Sequence, residues 1–189
     1  MQILTIENPK DAAKLRKISK KINNIKKDLQ TPEMTLLFQA MKEICKKPNV
    51  AGVAAPQLGV AVRIFALNFG KGTMGFFVNP KVLNKSKETK KDYEGCLSVP
   101  GKSGLVESPT EIELEWYNEK GEKFKHTFRD FWSRAVSHEL NHLAGKLYID
   151  IVEGEVFDEN EMKQKFLDAQ SKSHVVADVN FVNEGPATI

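Results

Sequence analysis

The chain has 189 residues, 41% of them hydrophobic and 28% charged, with a net charge of +3 and two cysteines. That length suits a single domain over 1–189 with a real core, and no apolar run approaches the roughly 20 residues of a membrane span. The small net charge does not by itself argue for nucleic acid, and Cys45 and Cys96 make no disulfide framework.

Taken in order, the chain begins without the basic-then-apolar pattern of a secretory signal, so a reducing cytoplasm is the expected compartment. Residues 9–29 are lysine-rich, with Leu15, Ile18, Ile22 and Ile25 at helical spacing. They read as one amphipathic helix whose charge is foremost a solvated face; an anionic partner such as ribosomal RNA is the rival reading. Thr31-Pro32-Glu33 reads as an N-cap with proline at the first helical position, opening a helix to about Cys45, a core thiol. Val50 to Gly59 is small, apolar and punctuated. Gly52 and Ala54 let a backbone or ligand approach closely, and Gln57 is a polar tip at the end of the run.

Residues 61–68 and 74–79 read as strands around a Gly70-Lys71-Gly72 turn, with a short strand over 81–84 and a charged loop over 85–91. Cys96 follows Gly95 in an extended or turn segment. Residues 111–117 alternate apolar with acidic and pair, through a turn at Asn118–Gly121, with a return strand over 122–127 that leaves His126 exposed. A helix is expected over about 128–144, with Thr127 or Asp130 as N-cap and Gly145 as the stop. After a short apolar run at 146–151, a polar helix is expected over 159–172. The tail from His174 to Ile189 reads as an edge strand or a loose end.

The 128–144 helix carries His138-Glu139-Leu140-Asn141-His142, and two of the chain's four histidines lie in it. Positions i and i+4 of a helix are only about 40° apart, so both imidazoles can reach one divalent cation. Glu139, turned by roughly 100°, stands beside a water on that ion instead. A catalytic metal usually has three protein ligands, and Cys96 is the best candidate for the third. Phe131, Arg134 (by its alkyl stem) and Ala135 share the His138 face and are candidates for an apolar substrate pocket; plain core packing is the alternative.

Three segments together resemble the motifs of peptide deformylase: Gly52-Val53-Ala54-Ala55-Pro56-Gln57, Glu94-Gly95-Cys96-Leu97-Ser98 and His138-Glu139-Leu140-Asn141-His142. Val99-Pro100-Gly101 and Leu143 to Asp150 extend the likeness, which runs from about residue 4 to 165. The resemblance implies an α+β fold in which β-sheets surround the motif helix. It implies removal of the N-formyl group from nascent chains that begin with formyl-methionine. Cys96, His138 and His142 match the metal ligands and Glu139 the general acid/base. Gln57, through its amide, and Leu97, through its backbone N–H, match the groups that hold the formyl oxygen. The family typically uses Fe(II), and Zn, Ni or Co can occupy the site. Nascent peptides are then the partner, with the ribosome as their source; no membrane or sequence-specific nucleic acid is implied.

Four residues depart from the family pattern. Val50 stands where the first motif commonly starts with glycine, and Asn141 replaces the aspartate of the third. Ser103 and Ser108 replace residues that are commonly basic. Ser108 and Asn141 together suggest an ion pair replaced by neutral hydrogen bonds. A different enzyme reading keeps the two histidines but takes a downstream carboxylate such as Glu161 as third ligand, which would make a metallopeptidase. A third reading is an inactive, metal-free relative that binds peptides or the ribosome.

Overall fold

The computed structural model describes residues 1–158 and Glu161. Five strands form one antiparallel sheet in the order β1 (Gly52–Ala54), β2 (Ile64–Gly70), β3 (Thr73–Lys85), β6 (Glu111–Tyr117) and β7 (Lys123–Arg129). A second antiparallel sheet of three has the order β4 (Thr89–Cys96), β5 (Val99–Pro109) and β8 (Glu153–Asp158). Helix α4 (Asp130–Leu143) packs against β1, β2, β6 and β7 of the first sheet and β5 of the second. Buried residues therefore occur on nearly every side of α4, as expected of a helix enclosed by its fold. The fold is α+β, with the sheets around the motif helix.

Strand periodicity decides what each face of the large sheet covers. On β2, Ile64 and Ala66 join a core built with Leu37, Met41, Ile44 and Cys45 of α3 (Pro32–Cys45). Phe65 and Leu67 point the other way, into a core with Phe77, Ile112, Leu114 and the α4 residues Ala135, Val136 and Leu143. The Phe65 and Phe77 rings stack at 4.5 Å. Both glycine turns form where the sequence places them: Gly70, Lys71 and Gly72 all take positive φ, and Gly121 closes the β6–β7 hairpin at φ 78°. Cys45 is a core thiol, and burial, followed by the charge of Glu139, pushes it up to about 12.

Several expected elements differ. The lysine-rich segment is not one helix. It holds α1 (Pro9–Leu15) and a single turn α2 (Ile25–Asp28), with a non-helical crossing between. There the end of α4, the segment before β2 and a side chain of β3 take the backbone groups a helix would have used. Ser19 N–H donates to Leu143 O, Lys20 N–H to Ala61 O, and the Asn79 amide bonds both Ile22 N–H and Ile22 O. Ile18 is left 74% exposed, so it is no part of an apolar face. The strands expected at 74–79 and 81–84 are one strand, β3, bulged around Asn79 at φ 50° and Pro80. The charged loop at 85–91 ends early, because Thr89 already pairs with Pro109. Strands β5 and β8 have no counterpart in the sequence reading. The helix expected over 159–172 and the tail beyond it lie outside the described residues. No helix among the described residues is long and apolar enough to cross a membrane.

Candidate metal centre

Helix α4 starts two residues later than the expected boundary at about 128. Neither Thr127 nor Asp130 caps it: Arg129 is the N-cap, without a side-chain bond, and Asp130 sits at φ 50° with its N–H on Thr110 O. The other end is locked. Gly145 takes φ 72° and donates to His142 O, while Lys146 N–H donates to Asn141 O. This paired closure fixes the last turn, which carries His142.

The hairpin β4–β5 brings Cys96 to the same point. Its register slips between Gly95 and Cys96, turning the thiol out of the ladder toward α4. Cys96 Sγ lies 3.3 Å from His142 Nε2, and one potential ligand atom each from Cys96, His138 and His142 lies within 4.8 Å of the others. All three residues are buried. His138 Nδ1 donates to Glu94 Oε2 at 2.8 Å, which leaves its Nε2 buried with no hydrogen-bond partner. A thiolate, an inward imidazole nitrogen without a partner and a second imidazole suit a divalent transition metal. Glu161, the alternative ligand, is exposed, and its N–H bonds Asp158 Oδ1.

The charges at the centre follow from these contacts. Burial pushes the Cys96 thiol up, but the two imidazoles, His142 foremost, outweigh it and bring it down to about 6. Burial likewise disfavours a charged His138, yet Cys96 and Glu94 hold it well above the usual histidine range. Glu94 is opposed by burial and held below the ordinary carboxylate range by His138 and Arg134. Glu139 has no such support. Among the described residues neither of its buried oxygens has a hydrogen-bond partner, and desolvation, opposed by the His138 charge and aided by that of Glu94, raises the group to about 8. A Cβ on Gly52 would stand 2.6 Å from Glu139 Oε1, so the glycine is the space the carboxylate occupies.

Gln57 lies in a 3₁₀ turn (Ala55–Leu58) directly after β1. Its Oε1 accepts from Ala54 N–H at 2.8 Å, so its Nε2 is aimed the other way, 3.5 Å from Cys96 Sγ and 3.2 Å from Ser98 Oγ. Leu97, between Cys96 and Ser98, is partly buried against the α3 core.

The candidate pocket residues are divided by the fold. Ala54 and Ala135 are fully buried together in the α4 core. Phe131 is 41% exposed and lines a cavity of about 500 Å³ with Phe69, Phe128 and Trp132, away from Arg134 and Ala135. Arg134 turns its guanidinium onto β4 and β5, where Ser108 Oγ lies 3.4 Å from both Arg134 Nη1 and Glu94 Oε1. A different ion pair, Arg134–Glu94, stands behind the ligands, where a buried carboxylate needs a cation. No hydrogen bond among the described residues joins Ser108 to Asn141. Val50 is buried in the α3 core without positive φ, and Ser103 is buried opposite Gly95. Sequence reasoning assigned no role to Glu94; its place two residues before Cys96 was the only signal.

The family model described as polypeptide deformylase matches residues 1–157. Peptide deformylase 2 of Clostridium perfringens is 39% identical over 132 residues, spanning 69% of this chain and 84% of that protein. A probable peptide deformylase from the Synechococcus phage S-SSM7 superposes with a TM-score of 0.70 at 32% identity, covering 80% of this chain and 99% of that one. A class I type b peptide deformylase from Acinetobacter baumannii, solved with Met-Ala-Ser bound, gives 0.70 at 26% identity over 79% of this chain and 97% of its own. These matches assign the chain: it belongs to the polypeptide deformylase family.

Proposed function

We propose that this protein hydrolyses the N-formyl group from peptides beginning with formyl-methionine, releasing formate, with a divalent metal held by Cys96, His138 and His142. The observation that carries the reading is the convergence of those three ligand atoms beside a buried carboxylate, Glu139, that has no partner of its own. A metal bound there supplies Lewis acidity, acidifying a water and polarising the formyl carbonyl. Fe(II) is the expected native ion, and Zn, Ni or Co suit the same donors.

The chain's own residues then divide the work. Glu139, buried next to His138 on α4, is placed to take a proton from the attacking water and to return it to the departing amine. Gln57, with its carbonyl pinned by Ala54 N–H, presents its Nε2 toward the reacting oxygen, and the Leu97 N–H is proposed as the second donor. Donors fixed in advance need no reorganisation as charge develops. The crowded Ala54-Ala55 stretch at the end of β1 favours a formyl group over larger acyl groups by steric rejection. Phe131 is the proposed contact for the methionine side chain.

The test is formate release from formyl-Met-Ala-Ser by oxygen-free protein loaded with Fe(II) or Ni(II), beside Glu139→Ala. Wild type turns over and the variant falls by about 10²-fold or more. No turnover by freshly loaded wild type overturns the reading in favour of an inactive relative.

A further inference from the structure

Arg134 lies on α4 one turn before His138, so the two side chains emerge on the same face. It is 6% exposed, and its guanidinium is divided among four acceptors of the β4–β5 hairpin. Nη1 donates to Glu94 Oε1 and to Val106 O, both at 2.9 Å, and reaches Ser108 Oγ at 3.4 Å. Nη2 donates to Lys90 O at 2.6 Å. The other oxygen of Glu94, Oε2, accepts from His138 Nδ1 at 2.8 Å. One buried carboxylate thus bridges two residues of the same helix, four positions apart, and the arginine anchors that bridge to both strands.

We propose that Arg134 is a positioning residue. It fixes Glu94, Glu94 fixes the ring of His138, and His138 thereby presents Nε2 to the cation site. The inference rests on the metal-dependent reading above. Without the guanidinium, Glu94 Oε1 keeps only the Ser108 hydroxyl at 3.4 Å, and the carboxylate is free to turn off the imidazole. A flat bidentate-capable cation reaching backbone oxygens on two strands does this better than an ammonium, which presents a single point of charge. The alkyl stem is incidental to this role.

The experiment titrates metal-free protein with Co(II) and reads the visible spectrum of the thiolate-ligated ion. It compares wild type, Arg134→Met, Glu94→Gln and the double variant, with formate release measured on the same wild-type batch. Arg134→Met weakens Co(II) binding about 10- to 100-fold and alters the band pattern at saturation, the usual cost of removing a group that orients a ligand. On the Glu94→Gln background the same change adds little, because its effect passes through that carboxylate. Arg134→Lys, which keeps a buried cation if the methionine variant does not fold, gives an intermediate affinity. Unchanged affinity and spectrum in both Arg134 variants, or losses that multiply independently of Glu94, overturn the proposal while the deformylase reading stands. Wild type that binds Co(II) but releases no formate overturns the activity and leaves the arginine's role intact. Wild type that binds no Co(II) overturns both.

Discussion

Glu94 and Glu139 are both buried carboxylates, 1% and 0% exposed. Burial raises the cost of charge for each, and they titrate in opposite directions. Glu94 is met by Arg134 and His138 and stays below the ordinary carboxylate range; Glu139 has no hydrogen-bond partner among the described residues and rises to about 8. The two thiols repeat the contrast. Cys45 and Cys96 are 1% and 3% exposed, yet one is pushed up to about 12 and the other brought down to about 6. Burial sets the scale of the effect and neighbours set its sign. The partnered carboxylate serves as a strut, and the unpartnered one is suited to carry a proton.

The sharpest way to break that contrast is to neutralise each carboxylate in turn. Glu139→Gln lowers turnover by about 10²- to 10⁴-fold and leaves thermal stability at or above wild type, measured by formate release and melting. Glu94→Gln does the reverse in stability. It leaves Arg134 buried without a counter-charge and costs about 3–5 kcal/mol in denaturant unfolding. Equal melting temperatures for the two variants would contradict the division of roles.

The cysteines sharpen it next. Cys96→Ser loses the bound metal in elemental analysis, whereas Cys45→Ser keeps it and costs about 1–3 kcal/mol for a hydroxyl placed in the α3 core. Glu161→Gln keeps it as well. Metal retained by Cys96→Ser and lost by Glu161→Gln would instead favour the metallopeptidase arrangement.

A pH series on metal-free protein reads the Glu139 environment directly. Folded Glu139 holds its proton up to about 8, against an ordinary value of 4.5. The folded state therefore binds more protons than the unfolded chain between those limits, and stability falls as pH rises. The contribution is complete below about 4.5 and gone above about 8. Wild type minus Glu139→Gln declines across that window; a flat or rising difference means the carboxylate is not desolvated as described.

The smallest effect lies on the β6–β7 face, where Lys125–Glu113 pairs at 2.9 Å with side chains 59% and 29% exposed. Lys125→Ala changes unfolding free energy by less than about 1 kcal/mol, and high salt erases the difference. The same kind of ion pair that anchors Glu94 when buried contributes little when wet.

Much of this was legible in the chain as written. Two histidines four apart on an amphipathic stripe, glycines at 70, 72, 121 and 145 and the Glu111–Tyr117 alternation are local patterns, and local sterics enforce them. The helix through 16–24 failed for a non-local reason: Leu143, Ala61 and Asn79 offer those backbone groups partners that the sequence near them does not reveal. The β4–β5 hairpin was missed because its Lys-Glu-Thr-Lys-Lys lead-in is polar, its outer residues being exposed.

By itself the sequence determined the donor types, the helix that carries two of them, and the family motifs in their order. Only the tertiary structure decided that Arg134, read as a pocket wall, anchors Glu94, and that Glu139 has no such anchor. Spacing along a helix gives the side on which a residue emerges. What it meets there comes from strands 26 to 44 positions away, and in a buried, poorly screened site those partners settle which groups stay charged.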